Sequence, residues 1–125
     1  MVIIGKRVLV VEDDDSLRAA VSRLLRVAGF ACDEYASAED LLADSARGDV
    51  VCVVSDLKLP GISGLGLLTA LRTQGESSPF ILMTAYDEPG VNEEAVRCGV
   101  SAYLVKPFSG IELLNVIKAL TGPVG

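Results

Sequence analysis

Short apolar runs alternate along the chain with segments in which apolar residues recur every three or four positions. The first pattern is typical of strands buried on both faces, and the second is typical of amphipathic helices. Strands are predicted at residues 6–11, 30–35, 50–54, 80–83 and 102–105. A helix-like segment follows each strand, so the pattern predicts five strand–helix units.

The predicted helices are marked by their end residues. Gly29 ends the first helix, Ser37 and Ser109 begin the second and the fifth, and the third covers residues 64–74. The apolar stripe of the second helix consists of Ala38, Leu41, Leu42 and Ala46.

The fourth helix, which ends at Gly99, has the weakest pattern. Pro89-Gly90 disturbs its start, and its apolar face offers only Val91, Ala95 and Val96.

Strict alternation of apolar strands and helices predicts an α/β fold. In it, five parallel strands form a doubly wound sheet with helices on both faces. If the strand order is 2-1-3-4-5, the first and third strands flank the point at which the order reverses. The second strand is expected nearer an edge because it carries Asp33 and Glu34. Right-handed crossovers bring all strand carboxyl ends to one edge, where such sheets bind ligands near the point at which strand order reverses.

Composition narrows the class of protein. With 125 residues, half of them hydrophobic, the chain is expected to form one domain with a core at about 6–120. Residues 121–125 then form a terminus or the start of a linker. No apolar run is long enough for a membrane span and no signal-peptide plan is present, which predicts a cytoplasmic chain.

Charge and cysteine content exclude several kinds of site. The net charge of −6 gives no footprint for nucleic-acid binding. Cys32, Cys52 and Cys98 are odd in number and lack C-x-x-C spacing, so buried thiols are expected rather than a disulfide or zinc site. The chain has no His, so any phosphoryl group must come from another molecule.

The third strand ends in a carboxylate, Asp56, just before Pro60-Gly61 breaks the chain. Burial disfavours the charged form of a carboxylate, so this position requires a counter-charge, hydrogen bonds or a function. The strand ends together supply Glu12, Asp13, Tyr35, Asp56, Thr84 and Lys106.

Converging carboxylates need a cation, and Mg²⁺ suits oxygen ligands with positions left for water and phosphate. Lys106 can neutralise a carboxylate or hold a phosphoryl oxygen, and Thr84 adds a hydroxyl. The set predicts a phosphoryl-transfer site with Asp56 as the nucleophile that forms an aspartyl phosphate. For Asp14 and Asp15, capping and solvating the first helix remains the simpler alternative.

Four motifs resemble those of the response-regulator receiver domain of bacterial two-component signalling. The resemblance implies a flavodoxin-like (βα)5 fold with strand order 2-1-3-4-5. They are VVEDD at 10–14, SDLKLPGISG at 55–64, MTA at 83–85 and AYLVKPF at 102–108. The resemblance extends over residues 7–120. The segment YASAEDLL at 35–42 is most similar to the FixJ-like transcriptional branch.

The resemblance implies a role for each site residue. Asp56 would be the phosphoacceptor, and Lys106, with a cis bond before Pro107, would contact the phosphoryl group. The implied ligands of Mg²⁺ (or Mn²⁺) are Asp13, Asp56, the backbone carbonyl of Lys58 and, as the second member of the acidic pair, Glu12. The implied switch pair is Thr84 and Tyr103. Glu12 departs from the family pattern, which more often has Asp there.

The resemblance also implies partners. A sensor histidine kinase or phosphotransfer protein would supply the phosphoryl group, and phosphorylation would alter the surface of the fourth helix, fifth strand and fifth helix. Homodimerisation through that surface and control of a transcriptional output domain would follow. The chain would be a regulatory domain rather than an enzyme.

Other functions fit parts of the pattern. A flavin or nucleotide carrier would need glycines and hydroxyls after the first strand, where this chain has four acids, and GISGLG at 61–66 has the wrong spacing for a dinucleotide site. An aspartyl-phosphate phosphatase usually has an acid two residues after its nucleophile, where Lys58 stands. A stand-alone phosphorelay receiver, or a scaffold that takes no phosphate, would share the fold.

Overall fold

The computed structural model describes residues 6–44, 48–85 and 90–122. Strands and helices alternate through them. The elements are β1 (Arg7–Val11), α1 (Asp15–Val27), β2 (Ala31–Tyr35), α2 (Ala38–Ala43), β3 (Val50–Asp56), α3 (Gly64–Thr73), β4 (Phe80–Thr84), α4 (Val91–Cys98), β5 (Ala102–Val105) and α5 (Gly110–Thr121). All strand pairs are parallel, in the order β2-β1-β3-β4-β5. The predicted fold class, the strand order and the edge position of β2 are confirmed.

The sheet separates two apolar layers, because successive strand residues point to opposite faces. Val8, Val10 and Met83 face the layer that contains α1 and α5. Leu9 and Leu82 face the layer that contains α2, α3 and α4. The near-continuous apolar strands follow from this burial on both faces, and β4 is buried at all five positions.

Short polar side chains begin four of the helices. Ser37 accepts the Asp40 N–H and Ser109 forms a capping box with Glu112, as predicted for both serines. Ser63 caps α3 in the same way, although the sequence analysis did not identify it. Asp14 caps α1 by accepting the Leu17 N–H, which bears out the simpler interpretation of that residue.

The predicted face of α4 is partly wrong. Ala95 is buried against the sheet, but Val96 is 70% exposed. Successive helical side chains point about 100° apart, and the side of α4 that packs on the sheet is that of Ala95, so Val96 points to solvent. The structure does not describe the side chain of Val91, and the predicted residues Ala46 and Pro89 lie outside the described residues.

The described helices include none that is both long enough and apolar enough to cross a membrane. The cysteines are free thiols: Cys32 and Cys52 are buried, and Cys98 in the last turn of α4 is half-buried. Burial raises the pKa of Cys32 to about 11 and that of Cys52 to about 12.

We expect one of the three cysteines to react rapidly with a thiol reagent in the native protein. The thiolate is the reactive form, and a raised pKa keeps Cys32 and Cys52 as thiols near pH 8, so Cys98 alone should react rapidly with a chromogenic disulfide reagent. In denaturant all three thiols should react. Cys98→Ser should remove the fast phase and leave the denatured total one thiol lower. A fast phase that survives in this variant would contradict the burial of the other two.

Candidate functional site

The carboxyl ends of β1, β3, β4 and β5 meet at one edge of the sheet. Val11 pairs with Ser55, Asp56 with Met83, and Thr84 with Val105. The residues at the ends of these strands and directly after them are thereby brought together. Parallel pairing thus places Glu12, Asp56 and Lys106 around one point, although Glu12 and Lys106 are separated by 94 positions.

The centre of this edge is an ammonium between two buried carboxylates. Lys106 Nζ lies 2.7 Å from Glu12 Oε1 and 3.3 Å from Asp56 Oδ1. Glu12 is 1% exposed and Asp56 is 7% exposed. The other oxygen of Glu12, Oε2, accepts the Asp14 N–H at 3.1 Å. Both oxygens of Glu12 are therefore engaged by donors of the protein itself.

Burial and pairing shift the pKa of two of these groups. Burial raises the pKa of Glu12 above its usual value, and the hydrogen bonds from Lys106 and from the Asp14 N–H offset only part of that rise. Burial alone would lower the pKa of Lys106, but its hydrogen bond to Glu12 and the charge of Asp56 outweigh that effect and raise it. The ammonium is thus held in its charged form.

The acidic side chains lie close enough together to hold one cation. Ligand oxygens of Glu12, Asp13 and Asp56 all lie within 4.8 Å of one another. Opposite ligands of Mg²⁺ are about 4.2 Å apart, so the carboxylates need only a small adjustment or a bridging water. Asp13 is exposed, which leaves the cluster open to solvent on that side. The donor set, which is oxygen only, fits Mg²⁺ or Mn²⁺.

The β3–α3 loop (residues 57–63) begins directly behind Asp56. The Leu57 N–H bonds to the Met83 carbonyl at 2.8 Å, and the Gly64 N–H bonds to the Leu57 carbonyl at 2.9 Å. A Cβ at Gly64 would overlap the backbone carbonyl oxygen of Asp56. The absence of a side chain at Gly64 lets α3 start against the end of β3. Lys58, whose carbonyl the resemblance implies as a metal ligand, lies exposed within this loop.

Thr84 and Tyr103 lie on the neighbouring strands β4 and β5. Thr84 is buried at the end of β4, and its carbonyl accepts the Lys106 N–H at 2.6 Å. Tyr103 is half-buried and pairs with Leu82. The peptide bond between Lys106 and Pro107 is cis, as the resemblance implied. The switching role of Thr84 and Tyr103 stays a prediction.

Tyr35, also predicted at this edge, has its hydroxyl 2.7 Å from Asp44 Oδ2. Arg18 is a site-supporting residue that the sequence analysis missed. It donates to the Glu12 carbonyl at 2.8 Å and to Asp15 Oδ1 at 2.6 Å. Its position one turn after the acidic run was the available signal, because residues three or four apart on a helix face each other.

Residues 8–118 match the response regulator receiver domain family. The chain belongs to this family. It is therefore a regulatory domain of two-component signalling, and the resemblance drawn from its four motifs is confirmed.

Similar proteins include full-length regulators. The transcriptional regulatory protein FixJ of Azorhizobium caulinodans is 34% identical over 113 residues, which are 90% of this chain and 54% of FixJ. The response regulator FleR of Pseudomonas aeruginosa is 41% identical over 111 residues, which are 89% of this chain and 24% of FleR. The chain spans about half the length of FixJ and about a quarter of FleR.

Solved structures agree with the fold. The chemotaxis protein CheY4 of Vibrio cholerae superposes with a TM-score of 0.86 at 28% identity, covering 92% of this chain and 98% of CheY4. The crystal structure of FixJ-N gives a TM-score of 0.84 at 27% identity, covering 98% of this chain and 99% of that one.

Removing the Lys106 ammonium should destabilise the domain in a pH-dependent way. We expect Lys106→Met to lower the free energy of unfolding by about 2 kcal/mol near pH 7, because it leaves the buried Glu12 carboxylate without its partner. The loss should be smaller near pH 5. A raised pKa means that the folded form holds the proton of Glu12 more tightly than the unfolded form does. The stabilisation that comes from proton binding by Glu12 is thus present at low pH and is lost as pH rises through the raised pKa.

Urea unfolding at both pH values measures this effect. Lys118→Met, at an exposed position of α5, serves as the control and should change the stability little at either pH. An equal loss for Lys106→Met at both pH values would show that Glu12 is not the group left unpaired.

Proposed function

We propose that this receiver domain accepts a phosphoryl group on Asp56, with Mg²⁺, from a sensor histidine kinase or phosphotransfer protein. The observation that carries the proposal is the position of Asp56, which is buried at the end of β3, 3.3 Å from the Lys106 ammonium and beside Glu12 and Asp13. A buried carboxylate with a purely structural role would need only a counter-charge. This one also has an open acidic neighbour, Asp13, that can hold a metal.

The proposed chemistry is a single transfer. An Asp56 carboxylate oxygen attacks phosphorus, the phosphorus–nitrogen bond of the donor phospho-histidine breaks, and the electron pair leaves with the imidazole. The product on the protein is an acyl phosphate. Lys106 stabilises the negative charge on the phosphoryl oxygens as it shifts from its contact with Asp56 to the group bound there.

The residues that would hold Mg²⁺ are Asp13, Asp56 and the Lys58 backbone carbonyl. Glu12 would act through water, because its two oxygens already accept from Lys106 and from the Asp14 N–H. When bound, Mg²⁺ would neutralise phosphoryl oxygens and allow a charged donor to approach three carboxylates.

Phosphorylation would be signalled through the surface that β5 forms with α4 and α5. Thr84 and Tyr103 would change position when the phosphoryl group arrives, and this would shift an existing equilibrium of the surface formed by α4, β5 and α5. That surface carries the exposed apolar residues Val96 and Val105, which suit a homodimer contact. Transcriptional control is supported by the similarity of this chain to FixJ, which is a transcriptional regulatory protein.

Asp56→Asn should abolish phosphorylation by acetyl phosphate and Mg²⁺, because an amide nitrogen or oxygen cannot replace the attacking carboxylate. Intact-mass measurement should show one added phosphoryl group on the parent protein, removed by hydroxylamine. Asp49→Asn, at the exposed opposite end of β3, should be labelled like the parent. Full labelling of Asp56→Asn would assign the acceptor to another residue.

Asp13→Asn should weaken Mg²⁺ binding by about tenfold or more, because it removes the charge of a direct ligand. Asp15→Asn removes the same charge from an exposed residue that pairs with Arg18, and it should leave the affinity nearly unchanged. The Mg²⁺ concentration for half-maximal phosphorylation measures the effect. Equal affinities in the two variants would reject Asp13 as a ligand.

A further inference from the structure

A carboxylate from α2 contacts the loop that follows Asp56. Glu39 lies in the first turn of α2, and its Oε2 accepts the backbone N–H of Ile62 at 3.1 Å. The two residues are 23 positions apart, so this bond joins two separate connections of the fold. The bond is charge-assisted and lies at the exposed surface of the domain.

Gly61 brings the loop backbone close to this carboxylate. Its φ of +76° belongs to the left-handed region that glycine adopts readily. A Cβ at this position would overlap the Glu39 carboxylate. The backbone thus passes directly beneath the carboxylate, and a side chain at Gly61 would require the end of the Glu39 side chain to move.

The bond between Glu39 and Ile62 holds a part of the β3–α3 loop that is not bonded to the sheet. Leu57 is tied to β4 through the Met83 carbonyl, and Gly64 closes the loop by bonding back to the Leu57 carbonyl. Ser63 caps α3 by accepting the Gly66 N–H. Glu39 therefore fixes the outer part of a loop whose two ends are already fixed. Lys58 lies between the inner and outer attachments.

We infer that Glu39 is a positioning residue for the cation site. By holding the β3–α3 loop, it keeps the Lys58 carbonyl in place to serve as a ligand before the cation arrives. Without this contact, the outer part of the loop would have to be ordered when the cation binds, at the expense of binding free energy, so the cation affinity would be lower. This inference rests on the proposed function, because it assumes that Asp13, Asp56 and the Lys58 carbonyl bind Mg²⁺.

The test compares Glu39→Ala, Glu39→Gln and Asp40→Ala. The glutamine keeps an oxygen that can accept the Ile62 N–H. Asp40→Ala removes the same charge from the same exposed turn of α2 and controls for electrostatics and for helix stability. Hydrogen exchange of the Ile62 amide in metal-free protein, followed by NMR, reports the contact itself. Mg²⁺ titration monitored by NMR and the phosphorylation rate at saturating Mg²⁺ report its consequence.

We expect Glu39→Ala to speed exchange at Ile62 severalfold and to weaken Mg²⁺ binding about threefold, less than for residues that bond a metal ligand directly, because Glu39 acts on Lys58 through the loop. Its phosphorylation rate at saturating Mg²⁺ should equal that of the parent, because the cation then orders the loop. Glu39→Gln should restore most of the Mg²⁺ affinity, and Asp40→Ala should resemble the parent.

Two results would overturn the inference. Unchanged Mg²⁺ affinity in Glu39→Ala, with Ile62 exchange accelerated, would show that the contact exists but does not position the ligand. An equal loss of affinity in Asp40→Ala would show a general charge effect. If the parent itself binds no Mg²⁺ and takes no phosphoryl group, the proposed function fails and this inference fails with it, whatever happens at Ile62.

Discussion

The site depends on the ion pairs that the Lys106 ammonium forms with Glu12 and Asp56. Without it, Glu12 and Asp56 would be two carboxylates buried side by side at the end of a parallel sheet. Such a pair repels itself, and burial adds to the cost of each charge. The ammonium offsets both effects, but it bonds most closely to Glu12 and stands farther from Asp56. The carboxylate proposed to react is thus the one that is held less tightly.

The fold supplies this geometry through its connections rather than through local sequence. Parallel strands joined by right-handed crossovers deliver every carboxyl end to the same edge. The acids following β1, the end of β3 and the residue after β5 meet there because the sheet has the order β2-β1-β3-β4-β5. The two apolar layers hold β1, β3 and β4 on both faces, so their ends form a firm support for the acidic cluster.

The sequence predicted the order of elements and the shared edge because both follow from hydrophobic period and from crossover handedness. It could not predict which donors each acid would take. Helical spacing could have indicated Arg18 as a partner of the acidic run, but not its bond to the Glu12 carbonyl. The bond from the Ile62 N–H to Glu39 spans 23 positions, and no periodic pattern records it. The incorrect placement of Val96 has a related cause. The side of α4 that packs on the sheet is that of Ala95, and the next side chain points about 100° away from it, toward solvent.

Of the four strands whose ends form the site, β5 is the least buried. Lys106 follows β5, which lies at the edge of the described sheet and has one buried residue, whereas four of the five residues of β1 are buried. An ammonium drawn toward new negative charge at Asp56 would therefore pull on the less buried of these two strands. A change of charge at the edge would displace β5 more readily than β1.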